Sequence, residues 1–326
     1  MKRTLRQWGI RLAQAALFAA VATNVGAQAY PTKPIRIIDA FAPGATTDIL
    51  ARIIATRMSQ TFGQPVVIEN KTGANGVIGS EYVAKSAPDG YTLFVGSTST
   101  LAVNQVLYKM SFDPVKDFAP ISLLAAQSLI VVIHPSLPVK SLKELVAYGK
   151  ANPKALNFAT PGIGNPVHLA TEAYKSVSGT PMTHIPYAKG SAAAIPDLLS
   201  GQVQMMFAPA YMSSMVKDGR LRALAVTGPK RMELLPNVPT VAESGVPGYE
   251  STLWNAMAAP AGTPAPIIAK LNAEIVRIMN LPEVRKQLAE TGLDSIPSTP
   301  EEQAKFTRAE AERWGKLVRE LDIKVQ

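Results

Sequence analysis

Short β-branched runs alternate with helical patterns along most of this chain. Ile35-Arg36-Ile37-Ile38-Asp39-Ala40 predicts a strand. A Pro43-Gly44 turn follows, and Ile49, Leu50, Ile53, Ile54 and Met58 then recur at helical spacing. Residues 65–70 form a second strand pattern, and a turn punctuated by Gly73, Gly76 and Gly79 leads into a helix through Tyr82, Val83 and Lys85. Residues 92–95 predict a third strand, opening into the polar loop Gly96-Ser97-Thr98-Ser99-Thr100. This βαβαβ rhythm predicts a parallel sheet with helices on both faces.

A longer apolar stretch, 121–133, exceeds an ordinary strand and lacks helix caps. The rhythm then restarts. A helix begins at Ser141 with Glu144 as its capping-box partner. Strands are predicted at 156–159, 183–187, 203–207 and 221–226, with a helix from near Val167. A loop-rich stretch carrying Pro229, Pro236, Pro239 and Pro247 leads to an apolar segment at 254–259 and two helices. The last of these is announced by Ser298 or Thr299 as cap, Pro300, and Glu301-Glu302 in its first turn. Two runs of one rhythm predict two α/β lobes, the apolar stretches near 121–133 and 221–228 connecting them. The division expected is 30–124 with 228–326 for the first lobe and 125–227 for the second.

The first 29 residues break the pattern. Lys2, Arg3, Arg6 and Arg11 precede the apolar run Leu12 to Val25, and Ala27-Gln28-Ala29 supplies a small-residue cleavage site. That order predicts a secretory signal peptide cleaved near Ala29, hence a periplasmic protein. The run is short for a membrane span, which needs about 20 residues. The formal charge of +9 is inflated by this segment, whose removal leaves 29 basic and 24 acidic side chains. The remaining basic residues are scattered, without the clusters that nucleic-acid binding requires. Cysteine is absent, excluding disulfides and thiolate chemistry, and three separated histidines make no metal motif. No cofactor is expected.

Ligands of open α/β sheets bind beyond the carboxyl ends of the strands. Those ends carry small polar turns here: Pro43-Gly44-Ala45-Thr46-Thr47-Asp48, then Ser97-Thr98-Ser99-Thr100, then Thr160-Pro161-Gly162-Ile163-Gly164-Asn165. The first and third precede helices, whose N-terminal N–H groups suit a carboxylate or phosphate. The glycines complete neither a dinucleotide fingerprint nor a phosphate loop, and no nucleophile elbow is present. His168 reads as a packing or capping histidine, or as a ligand contact; Asp48 as a helix-dipole partner, or as a group orienting the turn. Tyr187-Ala188-Lys189-Gly190 reads as a rim element or a solvated turn, and Asp197 as a cap or ion-pair residue. An exported, two-lobed protein without catalytic apparatus is the outline of a hinged binding module. An exported hydrolase and a sensor acting in signalling are the alternatives.

Several stretches carry a resemblance. They include residues 41–48 with Ala51-Arg52, 67–76, 88–93, Phe112-Asp113-Pro114 with Asp117-Phe118, Ile185-Pro186-Tyr187, 197–203 and 235–243. Together they resemble the Bug-type extracytoplasmic solute receptors of tripartite tricarboxylate transporters. The resemblance implies a two-lobed periplasmic-binding-protein (Venus flytrap) fold, each lobe a mostly parallel sheet flanked by helices. It implies a monomer holding one small solute, commonly a mono- or dicarboxylate, and delivering it to integral-membrane transporter subunits. Carried onto this sequence, the contacts fall on Phe41, Pro43, Gly44, Ala45, Thr46, Thr47 and Asp48 of the first turn, and on Ser97 and Thr98. In the other lobe they fall on Thr160, Gly162, Gly164, Asn165, His168 and Tyr187. The sequence departs from the family pattern at Ala45, where a second glycine is usual, and at Ala188, which lengthens a Tyr-Lys-Gly motif and shifts Lys189.

Overall fold

The computed structural model describes residues 30–187 and 190–325. The expected signal peptide and the pair Ala188-Lys189 lie outside the described residues. The chain opens with β1 (Ile35–Asp39), α1 (Thr46–Phe62), β2 (Val66–Asn70), α2 (Val77–Ala84) and β3 (Thr92–Ser97). A single π turn at Ser99–Val103 runs into the short α3 (Asn104–Leu107), followed by β4 (Phe118–Ser128). The second block is β5 (Ile130–Ile133), α4 (Leu142–Ala151), β6 (Asn157–Thr160), α5 (Pro166–Ser178), β7 (Thr183–Pro186), α6 (Ser191–Leu199), β8 (Met205–Ala208), α7 (Ser213–Lys217) and β9 (Arg222–Val226). The chain ends with β10 (Thr252–Pro260), α8 (Ala265–Met279), α9 (Pro282–Glu290), β11 (Asp294–Ser295) and α10 (Pro300–Glu320).

These strands form two sheets, ordered β11-β4-β10-β3-β1-β2 and β7-β6-β8-β5-β9. In the first, β2, β1, β3 and β4 run in one direction while β10 and β11 oppose them. In the second, β5 alone opposes its neighbours. The molecule is thus two-lobed α/β, each sheet mixed but dominated by one direction. The reversed strands β5 and β10 are those on which the chain enters the second sheet and returns to the first.

The long apolar stretch at 121–133 is two strands of different sheets, separated by Leu129 alone. Both are largely buried, so apolar residues run through the stretch, and only Gln127-Ser128 at the end of β4 marks its division. The sheet boundary accordingly lies at 128–130, and residues 125–128, which the sequence division gives to the second lobe, belong to β4. The return also falls later than residue 228. Met232, Leu235, Val241, Val246 and Tyr249 pack on the cores of the second sheet, and Val226 bridges Thr240. Between β10 and β11 there are two helices, because Pro282 ends the continuity that the apolar spacing of 265–290 suggests; with α10 they make three where two are predicted.

Apolar periodicity sets the helices, and side-chain caps start α4, α5 and α10. Leu50, Ile54 and Met58 of α1 are fully buried, and each contributes about 1.5–3 kcal/mol on leaving water. α1, α8 and α9 cover one face of the first sheet, and α2 and α10 the other. Thr299 closes a complete capping box with Glu302 at the start of α10. At α4, Ser141 accepts from the Glu144 N–H as expected, but the Glu144 carboxylate takes the N–H of Lys140. One element binds the lobes directly: Leu169 of α5 is buried in the first lobe's core beside Trp254, Trp314 and Val318. Gly164, just before α5, has φ +74° and lies where a Cβ would come within 2.6 Å of Leu107 in α3.

Candidate ligand-binding cleft

A cavity of about 190 Å³ lies between the lobes at the carboxyl ends of β1 and β3. It is smaller than the sites that hold drug-sized molecules, as suits a small solute. From the first lobe it takes Phe41, Ala45, Thr46, Thr47, Ser97, Thr98 and Ser99, together with Leu253, Trp254 and Asn255 of β10. Gln127 lines it from β4, and Asn165 and Pro166 close it from the second lobe. No charged side chain lines it among the described residues.

The start of α1 is its most polarised wall. Ala45 sits at the cap position and offers no side-chain acceptor, so the N–H groups of Thr46, Thr47 and Asp48 donate to no protein atom among the described residues. Aligned N–H groups at a helix start carry partial positive charge. The turn before them is held by its own helix. Asp48, buried, accepts from the Gly44 N–H at 2.9 Å, from Arg52 Nε and Nη2 at 2.8 and 2.9 Å, and from Asn70 Nδ2 at 3.2 Å. The Arg52 hydrogen bond above all holds the Asp48 carboxyl below the usual carboxylate range; the Gly44 and Asn70 donors add to it, against burial. Gly44 stands at φ +85°, a conformation that glycine adopts freely.

Three side chains complete this wall without protein partners. Thr47 Oγ1 and Ser97 Oγ are buried and make no hydrogen bond among the described residues. Thr47 Oγ1 lies against Asp39, near enough to ease its ionisation but without hydrogen-bond geometry. Asn255 is 5% exposed, pairs in register with Ser97 on β3, and has no side-chain hydrogen bond among the described residues. Thr98 is committed instead, accepting from the Trp254 N–H at 2.8 Å and donating to the Trp254 carbonyl at 3.2 Å. Trp254 is fixed from behind by its Nε1 donation to Glu310 on α10.

The second lobe's turn is built differently. Asn165 caps α5 through the Val167 N–H, and Pro166 brings no N–H. Gly162 donates to Thr160 Oγ1, Gly164 to His168 Nδ1, and Asn165 to the Gly162 carbonyl. Thr160 Oγ1 is 2.6 Å from His184 Nε2, and the rings of His168 and His184 stack with centroids 4.0 Å apart. Burial pushes the His168 imidazole down to about 3 and that of His184 to about 4, so both are neutral near pH 7. Tyr187 donates to Asp197 at 2.6 Å, and burial, with the Asp197 contact, pushes its phenol up to about 12.

Of the residues singled out from the sequence, Phe41, Ala45, Thr46, Thr47, Ser97, Thr98 and Asn165 meet in the cavity. Pro43, Gly44 and Asp48 shape its α1 wall without lining it. Thr160, Gly162, Gly164, His168 and Tyr187 stand behind Asn165 and do not line it. Residues 96–100 are no open loop: Thr98, Ser99 and Thr100 are buried where β3 passes into the π turn. Sequence reasoning missed Gln127, Pro166 and Leu253-Trp254-Asn255. The one available signal was Asn255, a lone amide inside an apolar strand pattern. A larger groove, about 610 Å³, opens behind the crossing strands and is lined by Lys230, Asp294, Arg285 and Glu233 among others. It lies away from the strand ends that carry the unpaired N–H groups, and Lys230 is already bound to Asp294 at 3.2 Å.

Two α/β lobes joined by crossing strands, with a polar cavity between them, define the class of two-lobed solute-binding proteins. Residues 50–323 match the family model described as Tripartite tricarboxylate transporter family receptor, and the chain belongs to that family. It is 38% identical to Protein BugT of Bordetella pertussis over 330 residues, covering 100% of this chain and 99% of that one. Rpa4515 of R. palustris, solved with adipate, is similar at 36% identity and TM-score 0.81, covering 90% of this chain and 99% of its own. MatC of Rhodopseudomonas palustris, solved with bound malate, is similar at 32% identity and TM-score 0.76, with 89% and 100% covered. Membership makes the chain a solute receptor and decides against the hydrolase alternative.

Proposed function

We propose that this receptor captures a small carboxylate between its lobes, seating one carboxylate on the free N–H groups of Thr46, Thr47 and Asp48. The observation that carries this reading is the uncapped start of α1 facing the cavity with two partnerless polar groups, Thr47 Oγ1 and the Asn255 amide, beside it. A helix start of this kind is a ready anion seat. Asn165 and Gln127 then contact the far end of the solute, and Asp48 keeps the seat in shape. The adipate and malate held by the two relatives support an acid as the solute. Residues 30–128 with 252–325 act as one moving body and 129–251 as the other, turning about the junctions at 128–129 and 251–252.

The same reading makes the chain a periplasmic monomer released by cleavage near Ala29, passing its solute to the integral-membrane subunits of a tripartite tricarboxylate-type transporter. No helix among the described residues is long and apolar enough to cross a membrane. A thermal-shift screen with adipate, malate, glutamate and nicotinate tests the solute class. An acid at 100 times its dissociation constant adds about 2.7 kcal/mol of stability. Replacing Thr47 by a bulky residue should abolish the shift; a folded protein that answers to none of these acids, but to a sugar or an amine, overturns the reading.

A further inference from the structure

Asp39 ends β1 directly beneath the seat and is fully buried, an uncommon place for a carboxylate. Its Oδ1 accepts from the Phe41 N–H at 3.1 Å and its Oδ2 from Asn70 Nδ2 at 3.1 Å. The same Asn70 amide reaches Asp48 Oδ1, so two carboxylates share one donor. The charged groups around Asp39 are already engaged. From α1 come Asp48 and Arg52, the guanidinium bound to Asp48 on both nitrogens. From β2 and the residue after it come Glu69 and Lys71, paired at 3.6 Å. β3 brings no ionisable residue. Among the described residues, then, no side-chain cation binds Asp39, while Thr47 Oγ1 lies against it with no hydrogen bond.

We propose that capture of an acid in the cleft is coupled to uptake of one proton by Asp39, with Thr47 relaying the new hydrogen bond to the solute. The proposal rests on the seat assigned above. A solute carboxylate on the Thr46 and Thr47 N–H groups adds a third anion to a site where Asp39 and Asp48 face one guanidinium. A proton drawn from water relieves that repulsion. The Asp39 O–H then donates to Thr47 Oγ1, and the Thr47 O–H turns to the solute carboxylate, so the partnerless hydroxyl gains both a donor and an acceptor. The site is poised for this. Burial, with the Asp48 charge adding to it, already pushes the Asp39 carboxyl up to about 6, against the hydrogen bonds it accepts. A nearby anion need lift it by only about one further unit to hold it protonated near neutrality.

Calorimetry with adipate and with malate, each in Mops and in Tris between about pH 6.5 and 8.5, tests the coupling; both acids are ionised throughout this range. The expected result is heats that differ between buffers by a fractional proton uptake, largest at the acid end and vanishing by about pH 8.5, with affinity falling as pH rises to a level about tenfold below its acid limit. Asp39→Asn should abolish the uptake, flatten the pH profile and bind more tightly than the native protein at pH 8.5. Thr47→Val should keep the uptake while weakening binding about fivefold or more. Binding with no uptake and a flat profile in the native protein overturns the proposal, leaves the receptor reading intact, and needs no variant to fold. Uptake that persists in Asp39→Asn overturns the assignment to this residue. A folded protein that binds no acid removes the seat itself, and the proposal with it.

Discussion

The Asp48 staple gives the sharpest stability prediction. Asp48→Ala removes a buried carboxylate that holds the Gly44 N–H, the Asn70 amide and Arg52. A hydrogen bond to a charged group contributes about 1.5–3 kcal/mol, and the Gly44 bond belongs to that class. The Arg52 pair adds less than its bidentate geometry suggests, because the Arg52 side chain is 56% exposed and returns to water when the partner is lost; exposed pairs contribute about 0–1 kcal/mol. The expected loss is therefore about 2–3 kcal/mol. Asp48→Asn keeps an acceptor for Gly44 and should lose about half as much. Urea denaturation of both variants, with Arg52→Ala and the double variant completing a cycle, measures each part. A loss below about 1 kcal/mol for Asp48→Ala, or a cycle that assigns all of it to Arg52, would refute the view that this carboxylate holds the turn. Acid affinity should fall by tenfold or more in Asp48→Ala, since the seat loses its shape.

The remaining predictions concern other parts of the molecule. The folded-state pKa values of His168 and His184 lie below the unfolded value, so their contribution to stability is present above about pH 6.5 and lost as pH falls towards 4 and 3. Asp39 is shifted upward, so its contribution is present below about pH 4 and lost as pH rises through about 6; the two trends oppose each other between pH 4 and 6. Denaturation across pH should therefore show a steeper acid loss in Asp39→Asn than in the native protein. Gly164→Ala forces a Cβ against Leu107 at a positive φ, and should cost about 1–3 kcal/mol by thermal melting, partly restored by Leu107→Ala. Thr299→Ala should cost about 1 kcal/mol through the α10 cap, with acid binding unchanged.

What the sequence made legible was local. The β1 and α1 patterns, the Thr299 cap and the Thr46-Thr47 helix start follow from spacing and turn chemistry within a few residues. The first lobe's sheet is assembled from both ends of the chain, and the cavity inherits that distance: Trp254 and Asn255 meet Ser97 only because β10 inserts beside β3. Asn255 sits in an apolar strand pattern that explains itself as core, so nothing local marks its amide as unpaired. Asp39 was readable only as a strand residue, since its burial arises from the turn that folds over it. The first and third polar turns looked alike in sequence. Pro166, with no N–H to offer, and Asn165, with a side chain that caps, make the third turn self-contained, while Ala45 leaves the first one open.

The place of β10 bears on when this protein can fold. Residues 252–260 lie between β3 and β4, so the first lobe's sheet stays split until four-fifths of the chain has been synthesised. Pairings between segments so far apart in sequence form slowly. The second block, 129–251, is contiguous and meets no such delay, but its α5 carries Leu169, which is buried only once Trp254 and α10 are in place. A chain of this order remains incompletely folded for as long as its C-terminal part is missing. For the export proposed above this order is an advantage: the strand that completes the proposed solute site also delays compaction before the chain has crossed.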